Sequence, residues 1–334
     1  MRKKRILYAA LKYSYAKPSL GLSFEYYNFL DSLRQIRNLE VEEFDWVSIR
    51  RDIGKARMNE LLLQQVDKFN PDLVFFSIFR EEFSKEVIRE ISSRTLTFNW
   101  FSDDIWRFDS YAKNWALCFS WISSLDGQVL PKYKAIGYDR VIITQSASNP
   151  RMYQKLKLEK KWPVSFIGQT HSNRKRMITE LKRRNIEVEI WGRGWKNGVT
   201  SFRKMVRIFN QSKINLNFTN TSFSFQFGRF LPWFFQPLTL VGENPTTIMN
   251  GRMFEVPTCG GFLLTQPTEN LKKYFEEGKE VITFENFEDL VDKVEYYLQH
   301  ERAREKVAKA GYERARKEHT YERRFREIFK KIGI

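Results

Sequence analysis

Cysteine is almost absent from this chain. Cys118 and Cys259 are the only two in 334 residues, and they form neither a metal-ligand nor a disulfide spacing. That scarcity argues against a disulfide-stapled secreted domain and agrees with a reducing compartment. Histidine is rare too, with three residues. No Asp-x-Asp pair is convincingly placed to hold a divalent metal, and Asp103 and Asp104 are adjacent rather than alternating. Their side chains should therefore point apart in an extended loop. No run of about twenty apolar residues exists to span a bilayer. The start MRKKRILYAALKY lacks the length and cleavage pattern of a signal peptide. A cytoplasmic protein is expected.

Negative charge is also in short supply, with 40 acidic against 57 basic residues and a net charge of +17. The excess is local. Arg2 to Arg5 carries four cations, residues 151–184 hold eleven Lys or Arg against two Glu, and residues 300–331 hold twelve against six. Such fields attract anionic partners: a nucleotide, an anionic membrane surface or nucleic acid. For the mixed 300–331 segment, a solvated helix face is the simpler account.

At 334 residues the chain exceeds what one core usually serves, so two domains are expected. Strand candidates alternate with helices. RILYAAL (Arg5–Leu11) and a loop YSYAKPSLG precede a helix from Ser23 to about Ile36. A strand near Val41–Val47, a helix near Ile53–Phe69 and a strand Asp72–Phe79 follow. Next come a helix at Ser84–Ser92 and strands at Thr95–Trp100, Ala116–Ile122 and Arg140–Thr144. This alternation predicts a parallel sheet with helices on both faces and ligands beyond the strands' carboxyl ends. Around Asn149-Pro150 the pattern breaks. A basic segment, RMYQKLKLEKKW, reads as helical and as the interdomain crossing. The grammar then restarts with strands Val164–Gly168, Val188–Gly192 and Ile214–Phe218, and with helices Arg174–Asn185 and Phe202–Asn210.

Between Thr219 and Asn250 lies a stretch with seven Phe or Trp residues from Phe223 to Phe235. It suits either an exposed loop that stacks on an acceptor or dips into a membrane interface, or rings that fill an interdomain groove. After it, NGRMFEVPTCGGFLLT (Asn250–Thr265) packs a cation, a carboxylate, a proline and a glycine pair into a turn-helix-turn. Pro257 is tolerated in a helix's first turn, which predicts a helix from about Phe254 to Gly260-Gly261. Glu255 and Arg252 then stand at a helix start, where anions are favoured.

These residues carry a resemblance. NGRMFEVPTCGGFLLT, LKKYFEEGKEVITFENFEDLVDKVEYYLQ, AGYERARKEHTYERRF, VSFIG with Arg174, IWGRGWKNG and INLNF together resemble the carboxyl-terminal domain of GT-B glycosyltransferases, in the CgeB-like branch of the group-1 enzymes. NWFSDDIWRFD in the first half is similar to what that branch carries. The resemblance implies an α/β protein of two Rossmann-like domains facing across a cleft. Residues 1–155 would hold the acceptor, residues 156–318 the nucleotide sugar with an aromatic insertion at 219–250, and residues 319–334 a helix crossing back to the first domain.

It also implies roles. Glu255 is similar to the later Glu of an E-x7-E pair that contacts ribose; the earlier position is Thr247, so that acid is missing. Arg252 and Arg174 resemble cations that face the diphosphate. Gly192 and Gly194 suit close backbone approach to the nucleoside, and Gly168, His171, Asn250 and Gly251 complete the donor set. His171 could equally be a solvated loop histidine. Asp103 or Asp104 would be the base for the acceptor hydroxyl, unless it caps the next turn. Tyr13, Tyr15 and Trp106 are the acceptor candidates, and no metal or cofactor is expected beyond the nucleotide sugar, UDP- or GDP-linked. The implied activity is sugar transfer to a cell-surface glycan or lipid-linked precursor, at the cytoplasmic membrane face. Transfer to a modified DNA base and a non-catalytic nucleotide-sugar-binding or coat protein are the alternatives.

Overall fold

The computed structural model describes residues 2–170, 173–219 and 249–334. His171, Thr247 and nearly all of the aromatic stretch lie outside them. The chain divides into two units, Met1–Met152 with Thr320–Ile334, and Tyr153–His319.

The first unit is built on strands β1 (Lys4–Ala10), β2 (Leu39–Glu43), β3 (Leu73–Ser77), β4 (Leu96–Trp100), β5 (Trp121–Ser124) and β6 (Val141–Ile143), all parallel and ordered β2-β1-β3-β4-β5-β6. The apolar runs in β1 and β3 alternate between two cores, as pleating requires. Ile6, Tyr8, Leu73 and Phe75 face one, while Leu7, Ala9, Val74 and Phe76 face the other. The helix Tyr321–Ile332 belongs to this unit and lays Tyr321, Phe325, Ile328, Phe329 and Ile332 on the first of these cores. Phe325 is fully buried, with ring centroids 5.6 Å from Phe29 and 5.4 Å from Phe75. Burying one such side chain contributes about 1.5–3 kcal/mol. Thr320 caps the helix, accepting from the Arg323 amide at 3.2 Å.

The second unit repeats the plan with β7 (Trp162–Ile167), β8 (Val188–Trp191), β9 (Ser212–Asn217), β10 (Leu263–Thr265) and β11 (Ile282–Thr283), parallel and ordered β11-β10-β9-β7-β8. Val164, Phe166, Ile214, Leu216, Leu264 and Ile282 share its main core.

Three local expectations are corrected. The basic segment at 154–161 forms no helix. Asn210 holds it open: its Oδ1 accepts from the Leu156 amide at 2.7 Å and its Nδ2 donates to the Gln154 carbonyl at 3.0 Å. The strand expected at Ala116–Ile122 forms only from Trp121, because helix Lys113–Ala116 and a turn precede it. Ser120 and Thr97 exchange side chain to backbone hydrogen bonds there, at 2.8 and 3.1 Å. The helix around Pro257 begins at Arg252, two residues before Phe254, and runs to Thr258. Proline stands in its last turn, where only one backbone bond is forfeited before the chain leaves. The exit is a Schellman turn: Gly261 N–H reaches Val256 O at 3.0 Å, Gly260 N–H reaches Pro257 O at 2.7 Å, and Gly260 adopts φ +71°.

Candidate active site

In the second sheet the chain starts at β7, adds β8 on one side and then crosses to β9 on the other. The carboxyl ends of β7 and β9 therefore flank a topological switch point, where open α/β sheets place ligands. Arg174, the first residue of helix Arg174–Arg183, spans these two ends. Its Nη1 donates to the Gln169 carbonyl at 3.2 Å and its Nη2 to the Phe218 carbonyl at 2.9 Å. Burial, with the charge of Arg252 as a second cause, lowers its pKa to about 10. The charge of Arg252 thus acts on Arg174, and a pair of like charges of this kind favours an anion nearby.

Arg252 comes from the other side of the switch point. Asn250 positions it: Asn250 Oδ1 accepts from the Arg252 amide at 3.1 Å while its Nδ2 lies 3.5 Å from the Phe218 carbonyl. The Arg252 side chain is 30% exposed and pairs with the fully buried Glu255. Burial pulls its pKa down, but the Glu255 carboxylate and Tyr153 outweigh this and the net shift is upward. The Arg252 Nε finds no hydrogen-bond partner among the described residues. Glu255 accepts from the Tyr153 hydroxyl through Oε1 at 2.8 Å and from Arg252 through Oε2. Tyr153 is 102 positions away and nothing in its local pattern marks it, so reasoning from sequence missed it.

The glycines have specific work. A Cβ on Gly192, at φ +139°, would lie 2.0 Å from the Gly168 carbonyl oxygen, and one on Gly194 would lie 2.3 Å from Thr170 Oγ1. Gly168 is itself pressed against the Phe166 ring, 2.6 Å from where its Cβ would be. The close approach visible at Gly192 and Gly194 is thus to the loop after β7, which Trp195 ties down by donating from Nε1 to the Gly168 carbonyl at 2.8 Å. Gly168, Arg174, Gly192, Gly194, Asn250, Gly251, Arg252 and Glu255 all stand in the second unit.

The remaining candidates belong to the first unit. Asp104 is 3% exposed; Ser124 Oγ and Tyr133 Oη donate to its two oxygens, each at 3.0 Å. Burial pushes its pKa up to about 6. Asp103 is half-buried and accepts from Trp106 Nε1 at 3.3 Å, and burial raises its pKa as well. The two carboxylates diverge. Trp106 is exposed, as are Tyr15 on the loop after β1 and Phe79 after β3, while Tyr13 is partly buried beneath Lys12. Arg107 lies over Phe79 at 4.5 Å and Trp106 at 5.8 Å. Phe79 and Arg107 were not singled out from sequence, because an aromatic at a strand end looks like core.

His319 is buried among Phe254, Tyr274 and Phe275, with Nε2 2.6 Å from the Tyr274 carbonyl. Its role is to hold that corner together. Among the described residues, no group of three or more His, Cys, Asp or Glu side chains could hold a metal ion, and no helix is long and apolar enough to cross a membrane.

Residues 173–330 match the family model described as glycosyl transferase-like. No curated protein matches the chain. Among solved structures, the HepE protein of Anabaena in complex with UDP is similar at TM-score 0.61 and 9% identity, covering 98% of this chain and 99% of that one. Sucrose-phosphate synthase from Thermosynechococcus elongatus is similar at TM-score 0.61 and 8% identity over 99% of both chains. A point mutant of TarM from S. aureus, in complex with fondaparinux, alpha-GlcNAc-glycerol and UDP, is similar at TM-score 0.55 and 10% identity, over 82% of this chain and 58% of that one. Residues 173–330 thus resemble the glycosyl transferase-like family, and the two-sheet architecture of the chain is the GT-B fold of these structures.

Proposed function

We propose that the protein transfers a sugar from a UDP-sugar to a hydroxyl of a glycan or lipid-linked saccharide, and that the donor sits at the switch point of the second unit. Arg174 and Arg252 meet there at the Phe218 carbonyl, the first directly and the second through Asn250, and this carries the reading. During transfer the bond between the sugar C1 and the diphosphate oxygen breaks and a bond to the acceptor oxygen forms. The leaving nucleotide keeps the electron pair. Two guanidinium groups in a partly dry site stabilise that developing charge. Glu255, buried and anchored by Tyr153, acts on the donor through Arg252, which it orients.

The acceptor proton needs a base if the reaction inverts. Asp103 takes that role, since it is the more open carboxylate of the pair, and Asp104 braces the loop through Ser124 and Tyr133. Exposed Tyr15, Phe79 and Trp106, all beyond the carboxyl ends of first-unit strands, supply ring faces for a sugar acceptor. The UDP complexes of HepE and the saccharide ligands of TarM favour this donor and acceptor class. We assign the site of action to the cytoplasmic membrane face, where the basic segments meet anionic lipid. CgeB-like membership is our reading of the branch.

A thermal-shift screen of nucleoside diphosphates and their sugars tests the proposal. UDP and at least one UDP-sugar should raise the Tm, because a ligand selective for the native state stabilises it. No shift with any nucleotide at millimolar concentration would sink it.

A further inference from the structure

Along the edge strand β8 of the second unit runs a pocket of about 480 Å³ that shares no lining residue with the donor site. Three cations enter it, Lys161 from the start of β7 and Lys204 and Arg207 from the helix Phe202–Gln211. Their only acidic neighbour in the lining is Glu189, which accepts from Asn197 Nδ2 at 2.7 Å. Asn197 also donates to the Ile190 carbonyl at 2.9 Å, so the loop after β8 is pinned to the pocket wall. None of the three cations has an ion-pair partner among the described residues.

Two tryptophans set the charges in place. Trp162 and Trp191 meet edge to face with ring centroids 5.1 Å apart. Lys161 Nζ lies 5.2 Å from the Trp162 centroid and Lys204 Nζ 5.8 Å from that of Trp191. Such cation–π contacts position ammonium groups without neutralising them. They also occupy ring faces that unstacked nucleic-acid bases would need as platforms. The volume exceeds that of a lone phosphate and falls in the range, roughly 300–1,000 Å³, of small-molecule sites. A lining of lysine, arginine and amide side chains suits a hydroxylated anion. A concave space between a strand edge and a helix admits a chain segment better than it admits a flat bilayer.

We propose that this pocket binds a short segment of an acidic saccharide, with its carboxylate or phosphate groups against Lys161, Lys204 and Arg207. The site is separate from the donor site and its occupancy does not require turnover.

Titration calorimetry on the full chain tests this with a hyaluronan tetrasaccharide as acidic probe and maltotetraose as neutral control. The acidic probe should bind and the neutral one should not. In the doubly substituted Lys204→Ala, Arg207→Ala protein, affinity should fall about tenfold or more, the order expected for losing two charge-assisted contacts, with an unchanged Tm. Should that protein melt early, Lys161→Gln at an exposed position carries the same expectation. Equal binding of the neutral sugar, or full affinity in the substituted proteins, would overturn the proposal. So would failure of the tetrasaccharide to bind while oligothymidylate or phosphatidylglycerol vesicles bind through these cations.

Discussion

Tyr153 donates its hydroxyl to Glu255 Oε1 across 2.8 Å, and both side chains are sealed from solvent at 1% and 0% exposure. The bond joins the first residue of the second unit to the carboxylate that holds Arg252. Tyr153→Phe keeps the ring, which packs edge-on to Phe202, but removes this donor from a buried carboxylate. The expected cost is about 1–3 kcal/mol, seen as a lower Tm, together with weaker UDP binding. An unchanged melt and unchanged affinity would show that the bond does not organise the site.

The loop after β8 offers a graded test within a few residues. Gly192→Ala places a methyl 2.0 Å from the Gly168 carbonyl oxygen, and nothing flexible can yield. Gly198→Ala meets nothing within 4 Å and carries only the cost of its positive φ of +63°, about 1–2 kcal/mol. Gly192→Ala should therefore be much the more damaging, at about 4 kcal/mol or more. Equal Tm losses would contradict the backbone contact.

Asp104 gives a pH signature. Its folded pKa of about 6 lies above the ordinary value of 3.8, so the native state holds its proton more tightly. The stabilisation this provides is complete below pH 3.8 and is lost as pH rises through 6. Asp104→Asn, which cannot ionise, should remove about 2–3 kcal/mol of the wild type's loss over that window. Melts across this pH range check it. Parallel curves for the two proteins would show that Asp104 titrates normally.

Much of the fold was legible because strands covered on both faces must be apolar throughout, and RILYAAL and LVFFSIF announce themselves. The parallel order followed from the alternation of strand and helix. Arg174 and Arg252 stood out by position, one opening a helix after a glycine-ended strand, the other just ahead of a glutamate on the same helical turn. Their mutual repulsion and the anchoring role of Tyr153 were hidden, since both depend on residues far apart in the chain. The segment at 154–161 carries helix-forming lysines and leucines, yet Asn210 competes for its backbone and wins. Pro257 was judged by its first-turn preference, but the last turn of a short helix forgives it equally well.

Everything proposed for the donor rests on a nucleoside-diphosphate site built around Arg252. Calorimetric titration of UDP into the wild type and the Arg252→Ala and Glu255→Ala proteins tests it most directly. Each substitution should weaken binding by about tenfold or more, as expected for losing a charge-assisted contact or the group that orients it. UDP binding of equal strength in all three proteins would contradict this and place the donor elsewhere.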